Sequence, residues 1–124
     1  MAARTWHTIR IELAKAPGFP AGSAARAYML RLPLDAAGRL DQDAWARQPS
    51  LATFRRFWPS ERDVRGAIKL HGTRLSLIAG DEGGEPCCQL EIDEVVRIGA
   101  TARLCTADGA SLPFRITTIE PPRA

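Results

Sequence analysis

Apolar side chains recur at every second position along most of this chain, and glycine, proline and aspartate separate the stretches that keep the rhythm. The longest such stretch covers residues 95–120. Val96, Ile98, Ala100, Ala102 and Leu104 alternate with Arg97, Thr101, Arg103 and Cys105, and Leu112, Phe114 and Ile116 resume the pattern after Asp108-Gly109. A period of two with one apolar side marks strands that bury one face. Residues opposite each other in a hairpin point to the same side of the sheet, so parity fixes the turn. A two-residue loop would set Leu104 against Pro113 and separate the two apolar faces. A three-residue loop, Ala107-Asp108-Gly109, sets Leu104 against Leu112 and Ala102 against Phe114. Such a loop is usually a type I turn closed by a left-handed residue, which places Gly109 at positive φ.

The same reasoning gives a second hairpin over 64–79. Val64, Gly66, Ile68 and Leu70 share one parity and Leu75, Leu77 and Ala79 the other. Their faces match across a two-residue Gly72-Thr73 loop of type II′, with Leu70 facing Leu75 and Ile68 facing Leu77. Residues 5–13 read as a first strand with Ile9, Ile11 and Leu13 inward. Residues 14–23 carry Pro17, Gly18, Pro20 and Gly22 and read as a long loop. A second strand over 26–34 turns Tyr28, Leu30, Leu32 and Leu34 inward, with Pro33 marking an edge or a terminus. Cys88, Leu90 and Ile92 form the inner side of a further short strand.

One helix interrupts the strands. Asp41 caps a helix predicted over 42–48, Leu40 and Trp45 staple its start, and Pro49 stops it. Residues 51–58 fit either a helical turn capped by Ser50 or a short strand ended by Pro59, and the surrounding strands favour the strand. Residues 81–85, Asp-Glu-Gly-Gly-Glu, read as an exposed acidic loop. Seven or eight short strands with one helix predict a mainly β fold: a small, partly open antiparallel barrel in a single domain over 1–124. Closure would also remove exposed strand edges.

Composition changes this picture little. A chain of 124 residues with 45% hydrophobic and 25% charged residues is an ordinary soluble globular domain. No apolar run is long enough for a membrane span, and the first residues carry no secretory pattern. Three cysteines, two of them adjacent, suit free thiols in a reducing cytoplasm better than a disulfide framework. Charge is more informative. Residues 1–80 carry 13 Lys and Arg against 6 Asp and Glu, whereas residues 81–124 carry 4 against 8. The basic half permits an anionic partner without requiring one.

Within that half, basic and aromatic residues interleave from Trp45 to Arg74. Arg55, Arg56, Trp58, Arg62, Arg65, Lys69, His71 and Arg74 are the candidate binding residues. Arg65, Lys69, His71 and Arg74 should all leave the outer face of the 64–79 hairpin. Cations that neutralise phosphates beside rings that stack on bases suit single-stranded nucleic acid. Equally, these cations can simply solvate a barrel whose core holds Phe54, Phe57 and Trp45. Trp6 and Trp58, if exposed, would favour a contact surface.

Catalytic patterns are missing. There is no CxxC, no HExxH and no Gly-x-Ser-x-Gly elbow, and Gly83-Gly84 is not followed by the helix that a phosphate cradle uses. Cys87 and Cys88 should point to opposite sides of a strand and so not grip one ion, leaving Cys88 buried and Cys87 outward. No cofactor, no metal site and no catalytic residue is predicted, and no specific partner follows from the sequence. The order of elements is similar to that of small bacterial barrel proteins, without a motif that transfers an activity. The sequence therefore predicts a non-catalytic binding or assembly module acting through 45–74. Single-stranded nucleic-acid binding on the same surface is one alternative. A small-molecule or enzymatic pocket near His7, Tyr28 or Cys87 is the other.

Overall fold

The computed structural model describes residues 5–72, 74–80 and 87–121. Its strands are β1 (Trp6–Leu13), β2 (Ser23–Pro33), β3 (Thr53–Phe57), β4 (Val64–His71), β5 (Arg74–Ala79), β6 (Cys88–Ile92), β7 (Thr101–Thr106) and β8 (Ser111–Glu120). Each pairs antiparallel with the next, and β8 returns to β1, so the ring is a closed barrel of eight strands. Closure leaves no strand edge unpaired, which is how a small antiparallel sheet avoids edge-to-edge association.

Both hairpin registers follow from parity. Leu104 faces Leu112 and Ala102 faces Phe114 across the Ala107-Asp108-Gly109 loop, where Gly109 has φ of 90°. Asp108 fastens this turn by accepting hydrogen bonds from the Ala110 amide at 3.1 Å and from the Thr106 hydroxyl. These bonds to the charged form hold its carboxyl below the usual carboxylate range. Leu70 faces Leu75 and Ile68 faces Leu77 in the other hairpin. Gly72 has φ of 64° there, while Thr73 and the acidic 81–85 segment lie outside the described residues.

The inner face gathers Ile9, Ile11, Leu30, Leu32, Leu77, Leu90, Phe114 and Ile116 into one core. Tyr28 packs its ring edge-on against Phe114, with centroids 5.5 Å apart. Helix α1 (Gln42–Arg47) follows the end of β2. Asp41 Oδ1 accepts from the Ala44 amide at 3.0 Å, and Trp45 and Ala44 are buried in the common core. A single 3-10 turn, Pro49–Leu51, then leads into β3, so residues 53–57 are strand.

Four positions depart from the simple alternation. The first arm of the 95–120 stretch begins only at Thr101. Residues Arg97, Ile98, Gly99 and Ala100 form a turn closed by the Ala100 amide on the Arg97 carbonyl at 3.0 Å. Gly99 at φ of 91° takes the left-handed place of that turn, which lifts Ile98 out to 65% exposure instead of the inner face. In β8 an extra residue, Thr117, bulges opposite Arg10 and Ile11, and its hydroxyl bonds the Arg10 carbonyl at 3.4 Å. The bulge resets parity so that Ile119 faces Ile9. In β5 both sides are buried: Ser76 and Ile78 as well as Leu75 and Leu77, while Ala79 is exposed. Finally, Trp6 is only 1% exposed although it shares parity with Arg10, so it offers no contact surface.

Candidate anion-binding surface

The outward positions of four neighbouring strands build this surface. Cα partners across a ladder point to the same side. One row runs from Arg10 through Met29 and Arg55 to Arg65, and the next from Thr8 through Arg31 and Thr53 to Ala67. Arg31, Arg55 and Arg65 therefore meet with Thr8, Thr53 and Met29, where they line a groove of about 440 Å³. Gly66 also lines it. A Cβ added at Gly66 would meet the Ile78 carbonyl oxygen and, at 2.8 Å, the Phe54 ring.

The three guanidinium groups are not equivalent. Arg55 is tethered: its Nη2 lies 3.1 Å from Asp63 Oδ2, and its guanidinium carbon sits 5.1 Å from the Phe57 ring centroid. Its Nε is buried with no hydrogen-bond partner among the described residues. Arg31 and Arg65 are exposed, and among the described residues no ion pair involves either. The planar fork of five donors suits a carboxylate or phosphate better than any other ligand class.

The eight sequence-predicted binding residues divide into separate places. Arg55 and Arg65 are direct partners in this groove. Arg62 is exposed in the connection between β3 and β4. Lys69, His71 and Arg74 are exposed toward the other end of the 64–79 hairpin, where His71 pairs with Arg74 and Arg74 lies 3.5 Å from Glu91. His71 stands six residues beyond Arg65, about 20 Å along an extended strand. Lys69 and His71 instead edge a largely apolar groove of about 580 Å³ between α1 and the outside of β4 and β5.

Arg56 and Trp58 have the parity of the buried Phe54 and lie at one end of the barrel. Two cations lie over the Trp58 ring, with the Arg56 and Arg26 guanidinium carbons 4.5 and 5.7 Å from its centroid. Arg56 also reaches Glu61 at 3.3 Å. Arg26 covers Phe19 of the 14–22 loop at 4.5 Å. Tyr28, the Cα partner of Arg56, is buried just inside. Desolvation pushes the Tyr28 hydroxyl above its ordinary range, the charge of Cys88 adds to this, and the Arg56 guanidinium opposes it. Desolvation likewise pushes the Cys88 thiol up to about 12, helped by its hydrogen bond with Cys87.

His7 and the two adjacent cysteines complete the residues singled out from the sequence. His7 pairs with Leu32 and its Nδ1 contacts the Thr5 carbonyl at 2.8 Å, whereas Tyr28 pairs with Ile11. Four residues of strand, about 13 Å, separate the two, so His7 lies apart from Tyr28. Cys87 is exposed and Cys88 buried, but their sulfur atoms are 3.4 Å apart instead of on opposite sides. The reason is local: β6 begins at Cys88, so Cys87 precedes the strand and escapes its alternation. Among the described residues no group of three or more His, Cys, Asp or Glu could hold a metal ion.

Arg31, Thr8 and Met29 were not among the sequence candidates. Each shows outward parity in its own strand, but only the pairing of β2 with β3 across the helix brings them beside Arg55. No family model, no curated protein and no solved structure matches this chain.

Proposed function

We propose that this protein is a non-catalytic binding or assembly module that takes an acidic partner on the outer face of β1 to β4. The observation that carries the reading is the convergence of Arg31, Arg55 and Arg65 on one groove, with two of the three guanidinium groups free of ion pairs among the described residues. Arg55, fixed by Asp63 and Phe57, supplies a positioned donor set. Arg31 and Arg65 close on the ligand from either side. Thr8 and Thr53 add hydroxyl groups at the rim. The three unbridged cysteines suit a cytoplasmic setting for the module. No helix among the described residues is long and apolar enough to cross a membrane.

Single-stranded nucleic acid is the second reading, and phosphate is the part of it that the groove favours. Base stacking is not, because Phe54, Trp45 and Trp6 are buried and cations already cover Phe57 and Trp58. A nucleic acid bound here would be held by its backbone and read without strong sequence preference.

Fluorescence anisotropy with a labelled oligo-glutamate peptide and a labelled oligothymidine tests both readings. Binding of either probe should weaken steeply between low and moderate salt. The double variant R31E/R65E should weaken it at least tenfold, and K69E/R74E should change it less than threefold. Equal losses in the two variants, or no binding at low salt, would overturn the assignment to this groove.

A further inference from the structure

We infer that Cys87 and Cys88 form a reversible oxidation site, a vicinal dithiol that a peroxide closes to a disulfide at the entry to β6. This stands apart from the arginine groove and does not depend on it. Two adjacent cysteines in regular strand would point to opposite faces. Here the chain enters the ladder between them. The Cys87 amide donates to the Leu77 carbonyl at 2.9 Å, and the Cys87 thiol donates to the same oxygen at 3.3 Å. With that proton so directed, the Cys88 thiol is the donor in the contact of 3.4 Å between the sulfur atoms. The pair is thus pre-assembled, with one sulfur exposed and the other buried behind it.

This division suits a two-step oxidation. Cys87, as thiolate, attacks one oxygen of hydrogen peroxide; the O–O bond breaks, and a sulfenic acid and hydroxide result. The Cys88 sulfur then attacks Cys87 Sγ. The S–S bond forms as the S–O bond breaks, and the hydroxyl leaves as water with the Cys88 proton. Two thiols and one peroxide give one disulfide and two waters, with two electrons passed to the peroxide.

The product is made to be undone. Adjacent Cα atoms lie about 3.8 Å apart across a trans peptide, closer than the roughly 4.4–6.8 Å that disulfides prefer. A strained disulfide of this kind is the readily reduced, labile sort. Forming it also removes the thiol bond to Leu77, the Cα partner of Cys88 in the β5–β6 ladder. Cys105 is the Cα partner of Gln89 and lies on the other face of β6, so it has no place in the pair.

The test treats the full chain with hydrogen peroxide, then alkylates free thiols and maps peptides without reduction. The monomer should lose two hydrogen atoms at Cys87–Cys88 while Cys105 remains alkylatable, and dithiothreitol should restore both thiols. C105S should behave as the parent, and C88S should stop at an oxygenated Cys87. A Cys87 that gains two or three oxygen atoms beside an alkylatable Cys88 would overturn the proposal. So would a disulfide-linked dimer formed in place of the intrachain bond.

Discussion

Gly66 shows how much of this molecule turns on single atoms. It shares the inward parity of Ile68, yet a methyl group there would run into the Ile78 carbonyl and the Phe54 ring. Glycine at this point is required by close approach of backbone, not by an unusual φ. G66A should destabilise the fold by about 1–3 kcal/mol, the range for overpacking a filled core, and lower the urea midpoint accordingly. An unchanged midpoint would mean that β3 and β5 can part without cost. The same scale explains where sequence pattern was a poor guide. Ile98 has the inward parity of Val96 and Ala100, but Gly99 turns the chain and exposes it. Cys87 and Cys88 obey strand geometry only if both lie in the strand, and one does not. Alternation says which face a residue takes once the strand is known; it does not say where the strand begins.

At the scale of elements, turn parity did most of the work. The loop lengths at Gly72-Thr73 and Ala107-Asp108-Gly109 followed from matching apolar faces, and they gave both registers. The helix was legible for a different reason, its cap and staple. Asp41 accepts the Ala44 amide, and Leu40 and Trp45 pack on the core from either side of the cap. D41A should cost about 1 kcal/mol, read as a lower midpoint in chemical denaturation, with D41N or D41S retaining most of it. Full retention in D41A would show that packing of Trp45 alone holds the helix. The Thr117 bulge and the two-sided burial of β5 were not legible. A bulge leaves no compositional mark in Thr-Thr, and Ser76 is buried although its parity is that of the outward Arg74.

At the scale of the whole molecule, closure decides what the charged residues can do. The basic run falls on β3, β4, the start of β5 and their connections, and strand geometry divides its side chains instead of gathering them in one place. Arg56 and Trp58 go to a barrel end, Lys69 and His71 to the helix side, and of the eight candidates Arg55 and Arg65 alone line the groove on the outer face of β1 to β4. Arg31 joins them from β2, 24 positions before Arg55 in the chain. The sequence showed the basic half but not this grouping, because the pairing of β2 with β3 spans a helix and no turn parity specifies it. The barrel therefore replaces a long basic stripe with one compact groove.

Amide and arginine side-chain NMR spectra, recorded while oligo-glutamate is titrated at low salt, measure binding in that groove directly. Binding in the groove should concentrate the shifts at Thr8, Arg31, Thr53, Arg55 and Arg65, and raised salt should abolish them. Shifts concentrated at Lys69, His71 and Arg74, or around Trp58 at the barrel end, would contradict it.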